Sequence, residues 1–321
     1  MARPSCTARP RLQRGAALLT AMIIVTLVAT LASAMVWQQW RAVQVEASER
    51  ARTQSAWILS GALDWAKLIL KEDQRSGRPT ALTEPWATPL AEARLSTFLA
   101  ADKSNTDDGP EAFLSGAITD MQARFNLSNL VSQGKVDLPV LAALERLCLD
   151  VGLESAVAER IATGLRDASP LPGTPIASAT APLLPQTVQQ LGWLGVDDAA
   201  VKALEPYIAL LPVATPVNVN TASREVLVAA VKGLDLATAE RVLQVRQRAP
   251  FKTLDRFRSE LAGLDISDAK LAVKSDFFEV RGRIRLQDHV LVERSLVQRM
   301  PDGQMKVLRR ERIASLEQAG A

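Results

Sequence analysis

The chain has very little histidine and cysteine, two residue types that often take part in catalysis or bind transition metals. Its 321 residues include one histidine, His289, and two cysteines. It contains no Cys/His spacing typical of a zinc site, no glycine-rich phosphate loop and no Gly-x-Ser-x-Gly segment. A mechanism without a general base or a metal is hard to build. The sequence therefore predicts that the protein is not an enzyme, and it favours a role in assembly.

Cysteine is too scarce to support a disulfide framework. Cys6 lies in the basic leader, so Cys148 alone remains if the leader is removed. A fold that does not depend on disulfides is compatible with any compartment, including an oxidising one. Cys148 follows a helical apolar pattern, and we expect it to be a small buried hydrophobic residue.

Charge is absent from Gly15 to Trp40, a run longer than the roughly 20 residues that a helix needs to cross a bilayer. The leader before it carries arginines and no acid, which places the N-terminus in the cytoplasm and the rest of the chain across the membrane. These arginines are Arg3, Arg9, Arg11 and Arg14. A cleaved signal peptide ending at Ala34 would need a shorter apolar run. A plain signal anchor remains an alternative, as does a leader cut after Gly15.

The helical pattern continues past the apolar run. Residues 41–71 contain no proline, and Gly61 is their only glycine. One apolar stripe follows helical spacing: Ile58, Leu59, Ala62, Leu63, Trp65, Ala66, Ile69 and Leu70. We predict one helix from Ala16 to about Lys71, roughly 84 Å long. Its first half would lie in lipid and its second half would pack on a sheet; a juxtamembrane coiled coil is the alternative.

The middle of the chain is predicted to be mainly helical. Residues 75–110 are interpreted as a loop with one helix over 91–101, and a hairpin is predicted around 118–127. The predicted helices then span 138–151, 153–166, 185–193, 197–204, 223–232, 237–248 and 254–261. Prolines exclude a regular element between Ser169 and Pro185. Thr221 or Asn220 is predicted to cap the helix that follows it.

The C-terminal part alternates apolar and charged residues, which predicts three strands over 278–286, 290–299 and 305–313. The expected fold class is α+β, with a long N-terminal helix packed on an antiparallel sheet and a large all-α insertion. The predicted divisions are a leader (1–15), a transmembrane helix (16–40), the first part of a sheet domain (41–130), an inserted helical domain (131–274) and the C-terminal strands (275–321).

The basic leader, Gly15 and the uncharged run that starts at once resemble the leader of type IV pilins and pseudopilins. The resemblance implies that a prepilin peptidase cleaves between Gly15 and Ala16 and that Ala16 becomes N-methylated. Most members have glutamate at the fifth mature residue, which here is Thr20. The K-type minor pseudopilins of type II secretion lack this glutamate, and a neutral residue suits a subunit at the filament tip.

Two internal motifs resemble the same K-type family. The first is Arg124-Phe125-Asn126-Leu127-Ser128-Asn129-Leu130, in which Asn126 and Asn129 are expected to satisfy backbone groups where the chain leaves the sheet. The second is Asn218-Val219-Asn220-Thr221-Ala222, which also resembles the helix-hairpin-helix region of DNA receptors. DNA-binding versions have Gly-apolar-Gly, whereas this chain has Gly233-Leu234-Asp235, and the acid repels a phosphate.

The resemblance implies a minor pseudopilin of the type II secretion system. It would start pseudopilus assembly at the tip and support protein export across the outer membrane. The implied partners are I- and J-type minor pseudopilins, the major pseudopilin, inner-membrane lipid, the prepilin peptidase, and secretin or exoprotein, with no nucleic acid. The implied location is the bacterial inner membrane, with the N-terminus in the cytoplasm and the folded part in the periplasm. The alternatives are a membrane-anchored DNA receptor and a minor type IV pilin at a pilus tip.

In the K-type family, this proline-containing loop is often acidic and lies near a calcium site. In this chain the loop has few acidic residues. Asp167 is the only acidic residue between Arg166 and Pro185. Calcium uses six to eight oxygen ligands. We therefore expect no metal and no other cofactor, with calcium left open only by the resemblance.

Overall fold

The structure is a computed structural model that describes residues 14–95, 111–169, 182–261, 263–286 and 289–313. It divides into two compact units, one ending at Ser55 and the other beginning at Ala56. Helix α1, Arg14–Arg75, contributes residues to both units.

The described part of the first unit is the N-terminal portion of α1. Its residues from Ala16 to Glu46 are exposed around the whole circumference of the helix. An 18-residue window of the helix reaches a mean hydropathy of 2.3, so α1 is long and apolar enough to cross a membrane. The hydroxyls of Thr20, Thr26, Thr30 and Ser33 each donate to a carbonyl three or four residues earlier. These polar groups are therefore satisfied within the helix, as a lipid environment requires.

The second unit contains a five-stranded antiparallel sheet with the order β1-β2-β9-β10-β11. Its strands are β1 (Leu90–Arg94), β2 (Ala112–Asp120), β9 (Phe277–Leu286), β10 (His289–Arg299) and β11 (Met305–Ile313). The three predicted C-terminal strands are confirmed. The first two strands and the last three are separated in sequence by residues 121–276, which we call the insertion.

The C-terminal part of α1 packs on one face of this sheet. Leu59, Leu63, Ala66 and Leu70 are buried at helical spacing. They pack in two clusters against sheet residues that include Phe278, Val280, Val297, Leu114 and Ile284. Full burial of one leucine side chain stabilises the fold by roughly 1.5–3 kcal/mol. The predicted helix on a sheet is confirmed, and the α+β fold class with it.

One residue of the predicted stripe lies on the other side of the helix. Trp65 is 52% exposed, because the centre of the buried stripe runs through Leu59, Leu63, Ala66 and Leu70. At 100° per residue, Trp65 lies roughly 130° around the helix from that centre.

Paired glycines bring α1 close to the sheet. Gly116 and Gly282 are direct cross-strand partners on β2 and β9. A Cβ on Gly282 would lie 2.9 Å from Leu59 Cδ2, and one on Gly116 would lie 2.8 Å from the Arg281 carbonyl oxygen. A side chain at position 282 would therefore require the buried Leu59 side chain to move.

Two predictions before the insertion are wrong. The helix predicted over 91–101 is wrong at its start, because Leu90–Arg94 form strand β1 and pair with β2; Leu95 is helical, and residues 96–101 lie outside the described residues. The predicted hairpin around 118–127 is also absent. The Asp120 carboxylate accepts from the Gln122 N–H, which starts a 3-10 turn at Met121–Ala123 and turns the chain out of the sheet.

The insertion contains the predicted helices together with short strands. Its α-helices are α2 (Leu138–Asp150), α3 (Ser155–Ala168), α4 (Asp198–Leu204), α5 (Arg224–Ala230), α6 (Leu236–Arg248) and α7 (Leu254–Arg258). Its strands are β3 (Phe125–Asn126), β4 (Val131–Ser132), β5 (Lys135–Val136), β6 (Ile208–Ala209), β7 (Val217–Asn218) and β8 (Leu271–Ala272). Residues 188–194 are a 3-10 helix and not the predicted α-helix.

Two hydrophobic cores stabilise the insertion. One includes residues of α2, α3 and α4, with Cys148 fully buried in it, as predicted. The other includes residues of α5, α6 and α7 around the edge-to-face pair Phe251 and Phe257. A smaller cluster joins Met121, Ala209 and Leu211 of the insertion to strand residues Phe277, Leu296 and Leu308. The predicted boundaries at 131 and 274 stay a prediction.

Candidate assembly site

The exposed apolar part of α1 is the first candidate surface. Trp37 and Trp40 lie near its C-terminal end, and the Arg41 guanidinium carbon lies 5.9 Å from the centre of the Trp37 ring. Tryptophan and arginine are enriched where a membrane helix leaves the hydrocarbon. This arrangement suits a helix that crosses a membrane between residues 16 and 40.

Thr20 occupies the position where most pilins have an acid. Its hydroxyl donates to the carbonyl oxygens of Ala16 at 3.1 Å and Ala17 at 3.0 Å. The side chain is therefore neutral and engaged within its own helix. Gly15 and Ala16, the predicted processing residues, lie at the start of α1, and the residues before Arg14 lie outside the described residues.

The outer face of α1 in the second unit is also apolar. Trp57 is 74% exposed, and Trp65 and Leu68 lie on the same side of the helix. Gly61 lies between the two tryptophans, and a Cβ there would have no heavy atom within 4 Å. Beside this face, a cavity of about 480 Å³ opens between α1 and the sheet; Trp65, Ile69, Trp86, Leu90 and Ile118 line it.

The Arg124–Leu130 motif forms a polar contact within the insertion. Asn126 Nδ2 donates to Val213 O at 2.8 Å and to Thr215 Oγ1 at 2.9 Å. Its Oδ1 accepts from the backbone N–H of Ser128 and Leu211. Asn129 exchanges two hydrogen bonds with the backbone of Thr215. Both asparagines thus satisfy backbone groups, while Phe125 is buried and Arg124 is half-buried beside them.

The second motif joins segments that are distant in sequence. Asn220 exchanges two hydrogen bonds with the backbone of Phe251. Asn218 and Thr221 point instead toward Asp120 at the end of β2. The prediction that Thr221 or Asn220 caps the next helix is wrong. Ser223 caps α5, because its side chain is the one that accepts from the Val226 N–H.

Asp120 is the acid that opens the segment resembling the K-type family, but the sequence does not predict that it is buried or that it joins distant segments. It is 2% exposed and accepts four hydrogen bonds. Burial raises the pKa of this carboxyl, and the hydrogen bonds from Ser275, Thr221, Gln122 and Asn218 oppose that rise. Its role depends on residues up to 155 positions away, so no local pattern indicates it.

The possible DNA-binding hairpin has an acid at its tip. Gly233 takes a φ of +82°, and Asp235 caps α6 by accepting from the Thr238 N–H at 2.8 Å. Hydrogen bonds from Thr238 lower the pKa of Asp235, which keeps it ionised at neutral pH. A carboxylate therefore occupies the helix N-terminus that would otherwise attract a phosphate.

No group of three or more metal-ligating side chains occurs among the described residues. Part of the loop predicted to lack acids, residues 170–181, lies outside them.

Burial raises the pKa of the Cys148 thiol to about 11, which makes it unreactive. Burial also lowers the pKa of Arg246 to about 10, and this side chain donates to Val219 O at 2.8 Å, which holds α6 against the second motif.

Comparison with known proteins points to one family. Two sequence profiles described as "Type II secretion system (T2SS), protein K" match residues 123–213 and 217–277. The type II secretion system protein K of Pseudomonas aeruginosa is 28% identical over 322 residues, covering 93% of this chain and 92% of the relative. The protein K of Klebsiella pneumoniae is 31% identical, covering 88% of this chain and 93% of the relative.

A solved structure has the same fold. It is the crystal structure of the GspK–GspI–GspJ complex from the enterotoxigenic Escherichia coli type 2 secretion system. The similarity has a TM-score of 0.65 at 21% identity and covers 84% of this chain and 99% of the matched chain. Together with the profiles and the curated relatives, it shows that this chain belongs to the type II secretion system protein K family and is a minor pseudopilin.

Proposed function

We propose that this chain is the tip subunit of the pseudopilus, that it starts pseudopilus assembly with I- and J-type minor pseudopilins, and that it thereby supports export across the outer membrane. The observation that supports this proposal best is the insertion. A single pilin-like helix and sheet carries 156 additional residues between β2 and β9 (121–276). A mass of that size would obstruct another subunit stacked above it.

The neutral Thr20 side chain supports the same position. In the lipid-like core of a filament, a glutamate at this site would neutralise the N-terminal amine of a neighbour, and an unpaired charge in such surroundings is costly. Because the Thr20 hydroxyl is engaged with carbonyls of its own helix, it offers no charge to a neighbour. A subunit of this kind is suited to an end of the filament.

Processing can be tested directly. We propose that the prepilin peptidase cuts between Gly15 and Ala16, methylates Ala16, and leaves the chain in the inner membrane with its folded part in the periplasm. Mass spectrometry of the mature protein should then find N-methylated Ala16 at the N-terminus, and Gly15→Val should retain the leader. A mature chain that begins at Met1 or Met35 would contradict the proposal.

Assembly requires a surface, and the outer face of α1 provides one. We propose that Trp57, Trp65 and Leu68, which are exposed, contact the other minor pseudopilins; the related Escherichia coli structure is a complex of GspK with GspI and GspJ, which supports the choice of partners. Trp65→Glu should reduce co-purification of the full-length chain with its I- and J-type partners and reduce secretion. Trp193→Glu, at an exposed tryptophan of the insertion, is the matched control and should retain both.

Two rival functions make different predictions. A DNA receptor would shift DNA at low salt and lose that shift as salt rises. We expect no shift, because Asp235 occupies the hairpin tip. A minor pilin of a type IV pilus would restore piliation and not secretion when returned to a deletion strain.

We also propose that folding needs no cofactor, so that calcium and a chelator should leave the unfolding midpoint unchanged.

A further inference from the structure

The carboxylate of Asp120 lies where three segments of the second unit meet. Oδ1 accepts from the Gln122 N–H at 2.8 Å. Oδ2 accepts from Thr221 Oγ1 and Ser275 Oγ, both at 2.6 Å, and from Asn218 Nδ2 at 3.0 Å. Asp120 ends β2, Asn218 and Thr221 belong to the insertion, and Ser275 lies where the chain returns to the sheet.

These contacts exceed what a local turn requires. The 3-10 turn after β2 uses only the bond from Gln122 to Oδ1. The three donors on Oδ2 come from residues 98, 101 and 155 positions away. A side chain that served the turn alone would leave Oδ2 to solvent, whereas Asp120 is 2% exposed.

A chain of hydrogen bonds continues from Asp120 to the end of α1. Asn218 Nδ2 also donates to Thr80 O at 3.0 Å, and the Ser275 N–H donates to Thr80 Oγ1 at 3.2 Å. Arg299, at the end of β10, donates to the same Thr80 hydroxyl and forms a buried ion pair with Asp73 in the last turn of α1. The helix, the sheet and the insertion are therefore joined through one buried polar network.

The apolar contact at the same place is less directional. Met121, Ala209 and Leu211 pack on Phe277, Leu296 and Leu308, and such burial stabilises many relative orientations almost equally. Hydrogen bonds weaken steeply with angle and distance. Three bonds from distant residues converging on one carboxylate oxygen select one orientation.

We propose that Asp120 is a positioning residue: by joining Asn218, Thr221 and Ser275 at the base of the insertion, it fixes the orientation of the insertion relative to the sheet and α1. The cores of the insertion do not include Asp120, so removing the side chain should change orientation more than internal folding. This proposal does not depend on the position of the subunit in the pseudopilus.

The test measures the distance between the insertion and the sheet in the full chain, reconstituted in lipid nanodiscs. Spin labels are placed at Lys202→Cys on α4 and Lys306→Cys on β11, both exposed, with Cys6→Ser; Cys148 is buried and stays unlabelled. Pulsed electron paramagnetic resonance should give one narrow distance distribution for this parent. Asp120→Ala should broaden it about twofold or add a second population.

Two further variants separate positioning from general stability. Asp235→Ala removes an acid that only caps α6, and it should leave the distribution narrow. Asp120→Asn retains some of the hydrogen bonds and should recover most of the parent distance. Circular dichroism should show that helical content is retained in each variant.

An unchanged distance distribution in a folded Asp120→Ala variant would overturn the proposal. If that variant fails to fold, the double variant Thr221→Val with Ser275→Ala removes two of the four donors and is judged by the same distance measurement. Secretion is not part of the readout, so a failure of the tip proposal cannot be mistaken for a failure of this one.

Discussion

The second unit has two internal contacts of opposite chemistry. Helix α1 meets the sheet through apolar side chains at helical spacing, whereas the insertion meets the end of the sheet largely through buried polar atoms around Asp120. The first contact tolerates small shifts because it is a continuous surface. The second depends on a few atoms, each of which needs a particular partner. The comparison indicates that the apolar contact contributes most to stability and the polar contact to orientation.

The largest effect should come from the apolar contact. Leu70→Ala removes a fully buried side chain, and we expect a loss of about 2–5 kcal/mol in the free energy of unfolding. Leu68→Ala, two residues away and exposed, is the matched control and should change it by less than about 0.5 kcal/mol. Urea unfolding of the full chain in detergent measures both. Equal losses would mean that the two faces of α1 have been assigned the wrong way round.

The asparagine motif should give the next largest effect. Asn126→Ala leaves two backbone N–H groups and a carbonyl of the insertion without their partner, and we expect a loss of about 1–3 kcal/mol. Asn126→Asp keeps the acceptor for Ser128 and Leu211 but replaces the buried donor with a carboxylate oxygen that faces the Val213 carbonyl, so its loss at neutral pH should be at least as large. The same urea series ranks them. An alanine variant as stable as the parent would show that water replaces these bonds.

Gly61 should give an effect of opposite sign. It lies on the exposed face of α1 with open space around it, so Gly61→Ala should stabilise the helix by about 1 kcal/mol. Gly282→Ala, which would press against Leu59, is the control and should destabilise. Thermal unfolding followed by circular dichroism at 222 nm distinguishes the two. Destabilisation by Gly61→Ala would show that α1 is distorted at that residue.

The smallest effect should be a pH dependence at the surface. Hydrogen bonds from Arg285 and the nearby Arg283 lower the pKa of Glu92. Its ionised form therefore stabilises the fold above its ordinary pKa of 4.5, and that contribution disappears as the pH falls through the lowered value. Because the pair is more than one-third exposed, we expect less than about 1 kcal/mol.

Glu92→Gln tests the sign of this effect. The variant should be slightly less stable than the parent at pH 7, and the difference in urea midpoints should shrink as the pH falls below 4.5. A difference that grows toward acid would contradict the assignment. The pair Arg256 and Glu260 on the insertion, in which Glu260 is 19% exposed, provides a comparison variant, Glu260→Gln, at an acid that does not bridge two arginines.

The apolar contact could be predicted from sequence because its information is periodic. Leu59, Leu63, Ala66 and Leu70 recur at helical spacing, and Phe278, Val280 and Ile284 alternate along a strand. Each pattern indicates which face is buried without knowledge of the partner. The error at Trp65 shows the limit: two adjacent stripes are apolar, and spacing alone cannot choose between them.

The polar contact could not be predicted in the same way. Asp120, Ser275 and Thr80 are isolated polar residues whose neighbours in sequence do not indicate burial. The second motif indicates that Asn218 and Thr221 matter, but it misplaces the cap, which belongs to Ser223. Only the fold reveals that donors 98 to 155 positions away converge on one carboxylate.

The paired glycines have a mechanical consequence. Leu59 lies over Gly282, where an added Cβ would be 2.9 Å from Leu59 Cδ2, so a shift of α1 along the sheet would have to move Leu59 out of this contact. A pull along the helix axis is therefore opposed by the contact between Leu59 and Gly282 as well as by burial of the apolar side chains. The folded part of the second unit would follow its helix under load without slipping.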